Sequence, residues 1–526
     1  MAKDLNIKII QFFVLAVVLI GVFITVYSPH LYYDYYYPLH YDEWLNISEA
    51  KKINNDGFFE SVFYPYFKQK IVRMNLVYGF DIFLAVLESI SGNLIPVYQY
   101  LPAATAVLNA IILFWLAKTI SKSFIFSLTV VIFFALLPSN INILGNWFFL
   151  PSTFSYFFVS AIILFFSRYL AEEDGKYFFL AVVFLTVLFL VYPLNAVFLL
   201  PVLYIAYILA GKKSPAKQFK LFSLFVISLV PFLLLFFALA FKVGLPHEQQ
   251  SGNLFLIFKN AIVYNSRSQG LLLNDLYFMP PFFYYVLMVF SSVAIVKNYK
   301  NKMFYVLNLL FFWSLGNLLL FKMFNFTLLS SYHRILYLSF IVFCLLAPLG
   351  IKNTVELPGK MKKNIFAGKI LKFMAAAAFI FYIVSSMGKN FFPSDNLKPV
   401  KLIDAKNSAM LEFIKENYSK RVVLAPQLLS VVIYPLTANF AASLANVPFF
   451  SLEKRGDYFF SAEKRMFNDI NNYDPFSAFL MQSDESRKKI LELYDFDLVY
   501  SPGRIDSQLL NPIFAQDGQF VYEVKK

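Results

Sequence analysis

Leu76-Val77-Tyr78-Gly79-Phe80-Asp81-Ile82-Phe83-Leu84-Ala85-Val86-Leu87-Glu88-Ser89-Ile90-Ser91 is the stretch on which the topology of this chain turns. It is apolar enough to be taken for a membrane crossing, and if it crosses, every later segment changes side. At helical spacing, Tyr78, Asp81, Ala85 and Glu88 share one face, with Phe80, Phe83, Leu84 and Leu87 elsewhere. That pattern predicts an amphipathic helix lying in the membrane interface.

The surrounding sequence shows why a membrane is in question. Of 526 residues, 59% are hydrophobic, 65 are Phe and only 15% are charged, where soluble domains carry roughly 25% charged residues. Apolar residues fall in runs of about 15–22, the longer of which match a hydrocarbon core roughly 30 Å thick. The first run, Ile9–Ser28, follows a short polar start with Lys3, Asp4 and Lys8, and leads into Pro29-His30 and aromatic sequence. No small-residue cleavage site follows it, so it reads as a retained span. Further candidate spans are Val97–Ala117, Phe124–Leu137, Thr153–Leu170, Tyr177–Val191, Ala196–Ala210, Leu221–Phe241, Phe282–Val296, Phe304–Phe321, Ile335–Ile351 and Ile370–Ser386. Together they predict about eleven crossings.

The charges orient this bundle. A net charge of +14 suggests nucleic acid only until its distribution is read, because Lys and Arg gather in short links between apolar runs. With the N-terminus inside, the inner links carry Lys118 and Lys122; Arg168 and Lys176; Lys212, Lys213, Lys217 and Lys220; Lys297, Lys300 and Lys302; and the basic stretch Lys352–Lys372. The opposite links, Asn140–Pro151, Tyr192–Asn195, Val243–Pro281 and Lys322–Arg334, are poorer in Lys and Arg for their length. This alternation satisfies the positive-inside rule only if Leu76–Ser91 does not cross. The C-terminus then lies outside. The single cysteine, Cys344, sits in an apolar run, which excludes an intrachain disulfide and argues against a thiol metal site.

From about Gly388 the composition becomes that of a soluble domain. Ala405–Tyr418 and Glu485–Leu493 read as helices, and Arg421–Ala425, Asp497–Tyr500 and Phe520–Val524 as strands, an alternation that predicts a small α/β domain. The expected architecture is therefore an all-α polytopic membrane bundle over 1–387, with a first outer loop at 29–96, and an extracytoplasmic α/β domain over 388–526. The C-terminal segment has no Gly-rich phosphate loop and no His.

Almost no charge falls mid-span, which argues against an ion pathway through the bundle. Polar chemistry concentrates in the outer segments, most densely at His40-Tyr41-Asp42-Glu43-Trp44, after the tyrosines of Tyr32–Tyr37. Paired carboxylates there suit a general base or a metal ligand; they equally suit the cap of the helix that follows. Tyr32–Tyr37, Trp44 and Trp147 suit sugar stacking or an interfacial aromatic belt. His247 with Glu248 reads as a ligand pair or an exposed loop. Arg455 and Arg465 suit an anionic acceptor or a charged helix face. The sequons at Asn46, Asn325 and Asn417 are at the frequency chance supplies.

The run Asp42-Glu43-Trp44-Leu45-Asn46-Ile47-Ser48-Glu49-Ala50, reaching Gly57, resembles the first outer loop of the GT-C class of glycosyltransferases, where an acidic pair opens a helix that closes at Gly. Leu94–Lys118, with Leu101-Pro102-Ala103, resembles the "RLPS" entry to that class's second span, and Ile490–Tyr500 with Phe520–Val524 its terminal helix–strand–strand. The class includes protein O-mannosyltransferases, lipid A aminoarabinose transferases and oligosaccharyltransferases. The chain departs from the pattern at Arg73-Met74-Asn75-Leu76 (family "KPPL"), at Tyr100 (family Arg), and at Ser139–Pro151, which holds no Asp or Glu and hence no DxD-type metal site.

The resemblance implies a polyprenyl-phosphate sugar donor and a glycan, lipid or protein acceptor. It implies Asp42 as general base, with Glu43 beside it; His40, next to Asp42, suits orienting the acid or acceptor. Cations must then face the leaving phosphate, where charge grows in the transition state. Arg334 is the first candidate, followed by His333, Arg267, Arg73, Lys70 and Lys68; each equally suits a cation snorkelling to the headgroups. No cofactor is required, though a divalent metal is compatible with the chemistry. Two other classes stand beside this reading: a transporter or flippase of lipid-linked glycan, which favours intramembrane charges and paired repeats, and a non-catalytic cell-envelope scaffold.

Overall fold

The computed structural model describes residues 2–63, 65–68, 76–137, 139, 144–211, 214–243, 263–265, 281–356, 377, 401–442, 476, 479–480 and 483–525. The chain divides into two compact units: Met1–Tyr36 with Leu76–Phe80 and Pro96–Pro399, and Tyr37–Asn75 with Asp81–Ile95 and Val400–Lys526.

The first unit is helical. It holds α1 (Ala2–Tyr33), and later α5 (Leu101–Ser121), α6 (Phe124–Ala135), α7 (Pro151–Glu172), α8 (Gly175–Val191), α9 (Pro193–Leu209), α10 (Pro215–Val243), α11 (Pro281–Asn298), α12 (Tyr305–Phe324) and α13 (Tyr332–Glu356). Between α1 and α5 the chain runs through α2 (Tyr41–Asp56), α3 (Tyr78–Ser91) and α4 (Leu94–Tyr98).

Among the described residues, six stretches are long and apolar enough to cross a membrane: Asn6–Tyr33, Leu94–Ser121, Pro151–Glu172, Gln218–Leu239, Lys302–Phe324 and Tyr332–Asn353. Four of the expected spans appear as shorter apolar helices, at Phe124–Ala135, Gly175–Val191, Pro193–Leu209 and Leu287–Asn298. At 1.5 Å per residue, α6 reaches only about 18 Å, so the count of eleven does not follow from helix length. The expected span Ile370–Ser386 lies outside the described residues, apart from the single helical residue 377.

Burial ranks the helices. The apolar window of α13 is 89% buried and that of α1 11%, so α13 is the core helix of this unit and α1 lines its surface, with Ile10, Phe12 and Phe13 turned outward. Two glycines set close approaches. A Cβ on Gly350 of α13 would lie 1.8 Å from the Phe290 carbonyl oxygen of α11, and one on Gly79 2.7 Å from the Leu190 backbone of α8. Only a residue without Cβ fits either place.

The links gather as the charge pattern implies. Arg168 lies over the Tyr177 ring at 4.0 Å and pairs with Glu172 at 2.9 Å. Lys220 lies over Phe178 at 4.6 Å, and Lys302 is 3.9 Å from Glu173. Three of the Lys/Arg-rich links thus meet at one end of the bundle. The poorer links meet in their turn. β1 (Val263–Asn265) pairs antiparallel with β2 (Phe326–Leu328), and Tyr337 at the head of α13 donates a hydrogen bond to Asn146 Oδ1.

The α3 segment is 14 residues long, about 21 Å and short of a hydrocarbon core. Tyr78, Phe80, Asp81, Leu84 and Ala85 are buried, whereas Val86 is 51% and Ile90 78% exposed.

The second unit is built on a five-stranded sheet of order β4-β3-β5-β7-β6, from β3 (Val422–Leu424), β4 (Phe440–Ala441), β5 (Leu498–Ser501), β6 (Leu510–Gln516) and β7 (Gln519–Val524). β4, β3 and β5 are parallel; β7 and β6 join antiparallel. The β6–β7 turn is Asp517-Gly518, both with positive φ (50° and 77°), as a two-residue hairpin turn requires. Val422, Leu424, Phe479, Ile490, Phe496 and Val499 lie in the core. Around the sheet lie α14 (Ala405–Asn417), α15 (Gln427–Thr437) and α16 (Asp484–Tyr494). Asp404 caps α14, its carboxylate accepting from Asn407 N at 2.8 Å. The first-loop helix α2 belongs to this unit: Lys51 Nζ donates to the Pro435 carbonyl of α15 at 2.9 Å.

Candidate active site

Helix α2 begins with a reciprocal cap. Glu43 reaches back so that its Oε2 accepts from Leu39 N at 2.7 Å and from His40 N at 2.9 Å, and His40 Nδ1 accepts from Asp42 N at 3.1 Å. This satisfies N–H groups that a helix start leaves without intrahelical partners. Glu43 is 1% exposed, so capping accounts for it. Asp42, the next carboxylate along, is left half-exposed: its side chain is 51% accessible, with Oδ2 3.7 Å from His40 Nδ1. The two members of the acidic pair are therefore not equivalent. One builds the helix start, and the other is presented from it. Burial lowers the His40 pKa, opposed by the Asp42 carboxylate, so the imidazole is held neutral. Trp44, fully buried, stacks on Tyr37 at 6.2 Å and closes this turn from within.

In the first unit, Arg334 stands in the first turn of α13. Its guanidinium lies over the Tyr192 ring at 5.0 Å, and its Nε is buried without a hydrogen-bond partner. Tyr156 donates to the Arg334 carbonyl at 3.4 Å, and its ring packs on Tyr337 at 4.8 Å. Asn195 Nδ2 donates to Ser155 Oγ at 2.6 Å. His333 Nε2 is 3.2 Å from Ser331 Oγ. Three links that the charge pattern assigned to one side thus supply one polar cluster: Asn146 from the first, Tyr192 and Asn195 from the second, Arg334 from the last. Of these companions the sequence signals none by motif; only their place in Lys/Arg-poor links marks them. The cluster offers a delocalised cation with an unused N–H donor, the kind of group that suits a phosphate oxygen.

Lys68 is exposed. Lys70, Arg73, Arg267, His247, Glu248, Arg455 and Arg465 lie outside the described residues. Among the described residues no group of three or more His, Cys, Asp or Glu side chains is arranged to hold a metal ion. At the α2 start the donors are Asp42, a histidine engaged in the cap and a carboxylate already accepting two N–H bonds, a set that does not fit a divalent ion.

No family model matches the sequence, and no curated protein matches it. The fold does have solved relatives. An archaeal oligosaccharyltransferase from Archaeoglobus fulgidus, tethered to an acceptor peptide containing an NVT sequon, superposes with a TM-score of 0.55 at 13% identity, covering 93% of this chain and 69% of that one. The archaeal oligosaccharyltransferase AglB from the same organism, in complex with an inhibitory peptide and a dolichol-phosphate, gives 0.58 at 10% identity with the same coverage. A form complexed with zinc and sulfate gives 0.52 at 11% identity, over 92% of this chain and 67% of that one. In fold, the chain is similar to these GT-C membrane glycosyltransferases along nearly its whole length.

Proposed function

We propose that this protein is a membrane glycosyltransferase that moves a sugar from a polyprenyl-phosphate-linked donor to an acceptor on the outer side of the membrane. The observation that carries the reading is Asp42, a half-exposed carboxylate presented from a capped helix start within a chain of GT-C-like fold. The solved relatives bind a dolichol-phosphate or an acceptor peptide, which supports a lipid-linked phosphate donor here and makes a peptide one of the acceptors to try, beside a glycan or a lipid.

In the reaction, Asp42 takes the proton from the acceptor O–H or N–H as that atom attacks the anomeric carbon. The anomeric C–O bond to phosphate breaks, and the polyprenyl phosphate leaves with the bonding pair. Arg334 is the cation assigned to the departing phosphate, where negative charge accumulates. His40 keeps Asp42 in place as a neutral imidazole, and Glu43 serves by holding the turn. His333, Arg267, Arg73 and Lys70 remain further candidates for the donor phosphate. The N-terminus is assigned to the cytoplasm and the C-terminal α/β segment to the outside, by the positive-inside rule.

Asp42→Asn tests the reading. Expression and folding are expected to stay at wild-type level while transfer of radiolabelled sugar from the lipid-linked fraction is abolished. Undiminished transfer by the variant overturns it.

A further inference from the structure

Tyr66, wholly buried, ties together three pieces of the second unit. Its hydroxyl lies 3.2 Å from the Trp44 carbonyl and 2.5 Å from Ser48 Oγ, and Ser48 Oγ lies 2.8 Å from the same carbonyl. Two hydroxyl protons thus serve a triangle of three oxygens, closed on the first turn of α2, two residues beyond Asp42. The Tyr66 main chain faces the other way. Its carbonyl accepts from Ala441 N at 2.7 Å, at the end of edge strand β4, and its ring packs against Tyr434 of α15 at 6.1 Å. The neighbouring carbonyl, that of Pro435, takes the Lys51 ammonium. One residue of the first loop therefore plugs the sheet edge on one side and grips the Asp42 turn on the other.

We infer that Tyr66 is a positioning residue through which the C-terminal α/β segment sets the first turn of α2, and with it Asp42. The inference rests on Asp42 being the base proposed above. A carboxylate that must meet an incoming acceptor loses rate when its mounting drifts by a fraction of an ångström, and half-exposed Asp42 is held by little beyond its own backbone and the His40–Glu43 cap. The triangle behind Trp44 supplies the remaining constraint. It reaches across the chain from residue 48 to residue 441, so the α/β segment contributes to the reaction without a reacting group of its own.

Tyr66→Phe tests this in the full-length protein. The variant keeps the ring against Tyr434 and the main-chain bond to Ala441, and Ser48 still donates to Trp44 O. Hydrogen exchange of amides 43–48 is expected to accelerate about tenfold while exchange in β3 and β5 is unchanged. Release of polyprenyl phosphate from the lipid-linked saccharide extract of the source membranes is expected to fall about tenfold in kcat with KM unchanged. Wild-type exchange and wild-type kcat together overturn the inference; so does acceleration that extends through β3 and β5, the mark of a merely structural role. Asp42→Asn, run alongside, separates the two claims. A dead Asp42→Asn with an unaltered Tyr66→Phe removes the positioning role and leaves the base. An active Asp42→Asn removes the base and, with it, a positioning role in catalysis.

Discussion

The Asp42 amide donates to His40 Nδ1 at 3.1 Å, which requires an unprotonated Nδ1 and so a neutral ring with its proton on Nε2. Burial pulls the His40 pKa below its ordinary value of 6.5. The folded protein then binds fewer protons than the unfolded chain, so this contribution to stability is present above the unfolded value and fades as pH falls below it. Amides 41–45 are expected to exchange faster as pH drops from about 7 to about 5, after correction for intrinsic rates. His40→Asn keeps a side-chain cap without the titration and should flatten the dependence. A wild-type first turn indifferent to pH would contradict this account.

Arg334 presents a planar guanidinium over Tyr192 with Nε unsatisfied. Lysine keeps the charge but not the fork or the stack. Arg334→Lys is therefore expected to lose about tenfold in transfer, and Arg334→Ala more. Donor-dependent kinetics on purified variants would show it, and full activity in Arg334→Ala would remove the residue from the donor site.

Gly350→Ala sets a methyl group against the Phe290 carbonyl, 1.8 Å away, whereas a methyl at Gly21 meets nothing within 4 Å. Overpacking of backbone on backbone is expected to cost about 2–3 kcal/mol. Thermal unfolding in detergent should separate the two, with Gly350→Ala melting well below wild type and Gly21→Ala beside it.

Asp484 and Arg487 form a knot under the sheet. Asp484 accepts from Ser507 Oγ at 2.6 Å, from Gln508 N at 2.9 Å and from Arg487 at 2.9 Å, while Arg487 also donates to the carbonyls of Phe479, Leu480 and Asp506. The Ser507 hydrogen bond is the largest influence lowering the Asp484 pKa below its ordinary 3.8. Stability from this group is present above that value and is lost as pH falls through the lower, folded one. Asp484→Asn should shed that acid-range dependence. Arg487→Met should destabilise by about 2–4 kcal/mol, because the buried Phe479 carbonyl and the half-buried Leu480 and Asp506 carbonyls lose their donor. Acid and denaturant titrations monitored by near-UV circular dichroism read both.

Topology is open to direct measurement. Reporter fusions at Lys217 and Lys362 are expected to report cytoplasm, and fusions after Pro393 the outside. A cytoplasmic C-terminus would mean that Leu76–Ser91 crosses after all.

The helices were legible because lipid imposes a simple code: α7, α8 and α9 fall within three residues of their apolar runs, bounded by Pro151, Asp174 and Pro193. In the second unit the code weakens. Helix α15 escapes because Val431-Val432-Ile433 is β-branched and Pro435 interrupts it; packing beside α2, not propensity, decides it. Strand β6 was readable in principle, since Asp517-Gly518 between apolar stretches is a hairpin signal. At the site, the carboxylate pair was visible, but not its division of labour. That depends on Glu43 turning back to Leu39 N, which no spacing reveals. The gathering of Asn146, Tyr192 and Arg334 is likewise a product of helix packing, and a linear pattern carries no trace of it.

The Lys51–Pro435 bond joins residues 384 positions apart, and this has a consequence for biogenesis. At typical rates of synthesis the first loop emerges on the order of 20–80 s before its partner exists. Throughout that interval the Tyr66 ring lacks Tyr434 and the Tyr66 carbonyl lacks the Ala441 amide. A chain released before residue 434 carries the first loop without any of these partners, Pro435 for Lys51 among them.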